Sequence, residues 1–190
     1  MDQMAEYKEI IKLETTESSL ISDVNIKFTT LQYICLLNND MLFFFDHTGK
    51  YEFKIDSRGD GPYQYNSISN VVYNSIDSTF YIHDMFKKKI FEYQLNGQYI
   101  GEFTIDNIGS ITNLDNDFYV VSYTPFANKS KLVGILNHSF QIINEFITTN
   151  FNNENYTDRG YILINDFMQN NHNKCIKPIS SDTIYKIYPN

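Results

Sequence analysis

A tight polar turn between two aromatic-rich strands recurs along this chain at a spacing that a repeated structural unit explains. Tyr93-Gln94-Leu95-Asn96-Gly97-Gln98-Tyr99-Ile100-Gly101-Glu102-Phe103 has an earlier counterpart in Phe45-Asp46-His47-Thr48-Gly49-Lys50-Tyr51, with Gly49 and Gly97 48 residues apart. A later, weaker copy runs from Leu136 through Ile142-Ile143-Asn144-Glu145-Phe146, where Glu145-Phe146 repeats Glu102-Phe103 at an offset of 43. Tyr33-Ile34 and Tyr81-Ile82 echo one another at 48, and related pieces follow in Asp117-Phe118-Tyr119-Val120 and Asp182-Thr183-Ile184-Tyr185. A period in the forties built of short strands is the mark of β-propeller blades, each a four-stranded antiparallel sheet.

Composition agrees. Aromatic residues make up 16% of the 190 without a single Trp, and a Tyr, Phe, Ile and Val-rich apolar set suits pleated, half-buried surfaces better than helices. The chain reads as all-β and as one domain over residues 1–190. A net charge of -8 disfavours nucleic acid, whose binding rests on Lys and Arg displacing counterions. Lys87-Lys88-Lys89, between Asp84 and Glu92, reads as a solvated turn between strands. Cys35, inside Tyr33-Ile34-Cys35-Leu36-Leu37, reads as a buried apolar residue, with a disulfide to the distant Cys175 as the alternative. Met1-Asp2-Gln3-Met4-Ala5-Glu6 has no basic or apolar leader region, and no run approaches a membrane span. The expectation is a soluble chain, cytoplasmic or separated from its leader.

Alternation and turn residues place strands at Tyr7 to Leu13, Leu20 to Phe28, and Leu31 to Leu37, the last buried on both faces. Leu42 to Phe45 and Tyr51 to Ile55 flank the first recurring turn. Ser57 to Asn66 is a loop, because Gly59, Gly61 and Pro62 fall within four residues. Ile68 to Tyr73, Thr79 to His83, Lys89 to Gln94 and Gln98 to Ile105 then form a complete meander. Ser110 onward, Phe118 to Val121, Lys131 to Leu136 and Gln141 to Thr148 form another. The Asn-rich stretch 150–173 reads as mainly loop, with a short element near Tyr161 to Phe167, before strands at Cys175 to Ile179 and Thr183 to Tyr188.

The run Gly59-Asp60-Gly61-Pro62-Tyr63-Gln64-Tyr65, then Ile68, Phe80-Tyr81-Ile82-His83-Asp84 and the hairpin Ile90-Phe91-Glu92-Tyr93 to Gly97 resembles a blade junction of the six-bladed β-propellers common in Bacteroidetes, relatives of NHL-repeat propellers. That family typically shows G-x-G-P-x-E-Y here; this chain has Gln64 in place of Glu. The resemblance covers Leu31 to Phe103 well and Ile111 to Tyr188 loosely. It implies a radial array of blades on exported proteins of the periplasm or cell envelope, with mostly undefined ligands. At about 45 residues per blade the chain holds about four. The expectations are therefore a partial six-bladed propeller or, alternatively, a closed four-bladed ring, with open blade edges in the partial form that invite self-association.

Chemistry is sparse. No G-x-S-x-G elbow is present, and His47, His83, His138 and His172 form no metal-ligand spacing. No cofactor or metal site is predicted. Asp115-Asn116-Asp117 lacks the downstream Gly and Glu of a calcium loop and reads as a turn. His83 and Asp84 end an inner strand where propeller ligands often approach, yet neighbouring residues on a strand face opposite ways. Asp84 can instead bond the backbone of the next turn. Arg58 and Asp60, on the loop, complete the candidate binding set. Gly59, Gly61, Pro62 and Tyr65 are read as structural: the glycines permit special backbone angles, Pro62 stiffens the crossing and Tyr65 packs its ring. On that reading Gly61→Val costs a few kcal/mol.

The function these features imply is a non-enzymatic binding or scaffold module for a peptide, glycan or protein partner, carried on loops of a rigid frame. A propeller-type lyase or hydrolase with a site on the central axis is the alternative. A degenerate fragment without independent function is the third possibility.

Overall fold

The computed structural model describes residues 10–114, 118–123, 131–148, 174–176 and 185–187. Among them every regular element is a strand. The first sheet takes β1 (Asn25–Thr29), β2 (Ile34–Asn38), β3 (Met41–Phe45) and β4 (Tyr51–Ile55) in order; the second takes β5 (Asn70–Asn74), β6 (Thr79–Asp84), β7 (Lys89–Gln94) and β8 (Tyr99–Thr104). The third takes β9 (Ile108–Asn113), β10 (Phe118–Tyr123), β11 (Lys131–Asn137) and β12 (Ile142–Thr148). Each is an antiparallel meander. A two-stranded pair, β13 (Lys174–Ile176) and β14 (Tyr185–Ile187), completes the set. The class is thus all-β, built of four-stranded sheets consistent with propeller blades. Contacts divide the chain into two compact units, Met1–Ser57 and Arg58–Asn190.

The recurring turn is one geometry used three times. Gly49, Gly97 and Phe140 each donate a backbone hydrogen bond to the residue three before, Asp46, Gln94 and Asn137, at 3.0, 2.9 and 2.9 Å. Those three residues in turn donate to Lys50, Gln98 and Gln141. All three closing residues have positive φ, at 88, 86 and 57°, and each hairpin carries a register shift beside the turn. This is a three-residue loop whose last residue is left-handed and forms a bulge. The third copy reads weakly because Phe140 stands where the others have Gly. Its ring is buried, stacked on Tyr119 at 4.8 Å and set edge-on to Tyr81 at 4.9 Å, so packing offsets the conformational cost.

In the first unit, one face of the sheet buries Ile34, Leu36, Phe43 and Phe45 under Ile11, Leu13 and Ile21. The other stacks Phe44 on Phe53 at 4.4 Å, with Tyr33 edge-on to both. Cys35 is a free, fully buried thiol, as expected of an apolar core residue, and burial raises its pKa. The strand predicted over Tyr7 to Leu13 is corrected: residues 7–9 lie outside the described residues, and Ile10 to Leu13 form no strand. Ile11 and Leu13 alternate because they cap the sheet. The segment's backbone instead crosses the β3–β4 turn, where Glu14 N donates to Gly49 O at 2.7 Å and a Cβ on Gly49 would lie 2.1 Å from Lys12 O.

In the second unit the second and third sheets share one apolar cluster, including Val72, Tyr81, Ile90, Ile111, Tyr119, Val121 and Leu136. Their first strands are tied by side chains: Ile111 N donates to Asn70 Oδ1 at 3.3 Å, and Asn113 Nδ2 donates to the Tyr73 carbonyl. The stretch 150–173 and Asp115 to Asp117, predicted as loop and turn, lie outside the described residues.

Candidate functional site

Strand β6 sets Phe80, Ile82 and Asp84 on one face and Thr79, Tyr81 and His83 on the other. Asp84 is fully buried at the strand end. Its Oδ1 accepts from Phe86 N and Lys87 N, both at 2.9 Å. Its Oδ2 accepts from Asn66 N at 2.6 Å and Ser67 N at 3.3 Å. One carboxylate closes the β6–β7 turn and fastens the end of the preceding loop to it. A buried charge is tolerable here because four backbone donors replace water.

Lys87 works from the same turn. Its Nζ donates to the Gly59 carbonyl at 2.6 Å and the Gln64 carbonyl at 2.7 Å. The lysine run predicted as a solvated turn is corrected at this position: Lys87 is half-buried and spends its charge on loop carbonyls. Lys88 and Lys89 pair with Asp106 and Glu102. Within the loop, Gly59 N donates to Tyr65 O at 2.9 Å and Gly61 N to Gln64 Oε1 at 2.8 Å. Gln64, which stands where the G-x-G-P-x-E-Y pattern has Glu, supplies this acceptor. Tyr65 is fully buried, edge-on to Phe91 at 6.4 Å.

The backbone requirement for glycine falls on Gly59, whose φ is 153° and whose Cβ would sit 2.3 Å from Gln64 Oε1. Gly61 has no such φ, and a Cβ there meets the flexible Gln64 amide at 2.8 Å. The angle expected of both glycines belongs to the first alone.

Arg58 and Asp60 stand exposed on this loop. Tyr63, also on it, is 60% exposed at a φ of 63° and leans on Tyr99 at 4.9 Å between ring centroids. Phe86, at the adjoining turn, is 72% exposed. His83 does not join them. It is 1% exposed on the opposite face, between Asn70 and Ile90 on the neighbouring strands, and neither ring nitrogen has a partner among the described residues. Burial pushes its pKa down to about 4 against the opposing pull of Asp84, so the ring is neutral at pH 7.

The structure thus brings Arg58, Asp60 and Asp84 to one loop-and-turn assembly and leaves His83 apart. Sequence reasoning missed Lys87, Tyr63 and Phe86. The available signal for Lys87 was its position three residues after Asp84 at a strand end. Among the described residues no three His, Cys, Asp or Glu side chains gather as a metal would require, and no helix is long and apolar enough to cross a membrane.

The fold has solved counterparts. A Bacteroides fragilis protein inferred to be exported matches with a TM-score of 0.72 at 16% identity, over 93% of this chain and 51% of that one. A Bacteroides vulgatus member of the DUF4221 family matches with a TM-score of 0.50 at 7% identity, over 68% and 44%. The chain therefore spans about half the length of the structures it matches. No curated protein matches it. A family model does match, over residues 1–190, and the chain belongs to that family, described as Domain of unknown function (DUF4934).

Proposed function

We propose that this chain is a non-enzymatic β-propeller binding module whose recognition surface is the loop from Arg58 to Tyr65 together with the β6–β7 turn. The carrying observation is that this loop is held from below by Asp84 and Lys87 while Arg58, Asp60, Tyr63 and Phe86 remain exposed. A preordered loop loses little entropy on binding. Exposed rings beside one charge of each sign suit a glycan or a peptide segment. In this proposal Asp84 is a positioning residue and Arg58 and Asp60 meet the ligand, while His83 supports the strand from its other face. Residues 1–190 act as one domain of a six-bladed, NHL-like array in the cell envelope, with self-association through open blade edges.

The test is binding of the 190-residue chain to immobilised glycan and peptide libraries, alongside Arg58→Ala/Asp60→Ala. Saturable binding that the double variant loses at unchanged melting temperature supports the reading. Binding that the double variant retains, or ligand turnover, overturns it.

A further inference from the structure

A second polar assembly lies at the other end of β6, between the second and third sheets, and its chemistry differs. Strand register sets Val72, Tyr81, Glu92 and Gly101 in one row across β5 to β8, on the face that packs against the third sheet. Tyr81 and Tyr119 are buried there, edge to face at 6.0 Å. The Tyr81 hydroxyl donates to Glu92 Oε1 at 3.4 Å, long for such a bond, which leaves the carboxylate with acceptor capacity to spare. The Tyr119 hydroxyl adjoins that of Tyr81. Asp77, on the β5–β6 turn, is close enough for its charge to act on both Glu92 and Tyr119. Its carboxylate accepts from Asn74 Nδ2 at 3.1 Å. Burial first, then Asp77, raises the Glu92 pKa.

Two further observations make this more than a pair of acids. Thr79 is 7% exposed and shares the face of Tyr81, and its hydroxyl has no partner among the described residues. The same holds for Asn113 Oδ1, on the residue paired with Tyr119. Space is present as well: a Cβ built on Gly101, beside Glu92, meets nothing within 4 Å. The assembly offers two carboxylates, two phenols, a hydroxyl and an amide oxygen next to an open position. Such a set lacks a positive charge.

We propose that this polar assembly, at the open position beside Gly101, receives the guanidinium group of an arginine side chain, with Glu92 and Asp77 as its counter-charges. A planar fork of five donors uses several oxygen acceptors at once. A metal ion fits less well, because no three ligating side chains of the His, Cys, Asp and Glu set converge among the described residues. A net charge of -8 also favours a cationic partner. This site is separate from the Arg58 to Tyr65 loop, and either can fail without the other.

The test titrates the chain with N-acetyl-arginine methylamide, and with the citrulline analogue of the same shape and no charge, following backbone amide shifts by NMR. The expected result is saturable movement at Tyr81, Glu92 and Gly101 with the arginine probe alone, weakened by added salt. Glu92→Gln should weaken it at least tenfold. Gly101→Leu, which fills the open position without touching a charge, should abolish it at unchanged melting temperature. Equal binding of the citrulline probe, shifts confined to other regions, indifference to both substitutions, or Glu92-dependent binding of calcium in place of arginine would overturn the proposal.

Discussion

His83 should make this protein acid-sensitive, by an amount its burial defines. In the folded chain the ring is held neutral down to about pH 4, whereas a free imidazole titrates near 6.5. Between those values the unfolded chain binds more protons than the folded one, so stability rises with pH. The contribution is level above pH 6.5, falls as pH drops through the window and levels again below 4. At about 1.4 kcal/mol for each pH unit, the whole window is worth about 3 kcal/mol. Other groups titrate as well, so the informative quantity is the difference from His83→Leu. That variant removes two unpartnered ring nitrogens and should be at least as stable as wild type at pH 7, since a buried polar group without a hydrogen bond is unfavourable. With no Trp in the chain, urea unfolding is best followed by far-UV circular dichroism and Tyr fluorescence at several pH values from 7.5 to 4. The variant should gain about 3 kcal/mol on wild type across the series. Parallel pH profiles for the two proteins would refute the assignment of a buried, neutral His83.

Phe140 carries left-handed φ for the sake of its ring, so Phe140→Ala should cost about 3–5 kcal/mol; Phe140→Gly, relieved of the strained angle, should be no less stable than Ala in thermal melts, and a clear advantage for Ala would contradict that. Lys87→Met strips two loop carbonyls of their donor and should destabilise by about 1–3 kcal/mol in urea, while Arg58→Ala and Asp60→Ala on the exposed rim should stay within about 0.5 kcal/mol. Gly59→Ala should cost more than Gly61→Ala, because only Gly59 holds a left-handed angle; the reverse order in denaturant midpoints would overturn the loop assignment.

The strands were legible where side-chain alternation and backbone pairing coincide. Lys89–Gln94 was predicted at the bounds it holds, and most other strands fall within a few residues of expectation; β1 is the exception, beginning at Asn25 where a strand was expected from Leu20. Alternation misled at Ile11 and Leu13, which face a sheet without pairing to it. Turn chemistry was legible where Gly49 and Gly97 carry it. It was hidden at Phe140, because tertiary packing supplies there what conformational freedom supplies elsewhere. At the candidate site, Asp84 could be expected to bond the following turn. Its second pair of donors, Asn66 and Ser67, comes from 18 and 17 residues away and leaves no local trace. Lys87 was obscured for the same reason: a charged run signals water unless distant carbonyls converge on it, and those of Gly59 and Gln64 meet it only in the folded chain.

The most direct measurement is amide hydrogen exchange across residues 57–67, since the recognition surface depends on that loop being preordered. Among the amides there, those of Gly59, Gly61, Gln64, Asn66 and Ser67 have acceptors. Their exchange should be slowed toward that of β6 and β7, and Asp84→Asn should release Asn66 and Ser67 first. Exchange at free-coil rates in this loop, with the flanking strands protected, would contradict a recognition surface built in advance of its ligand.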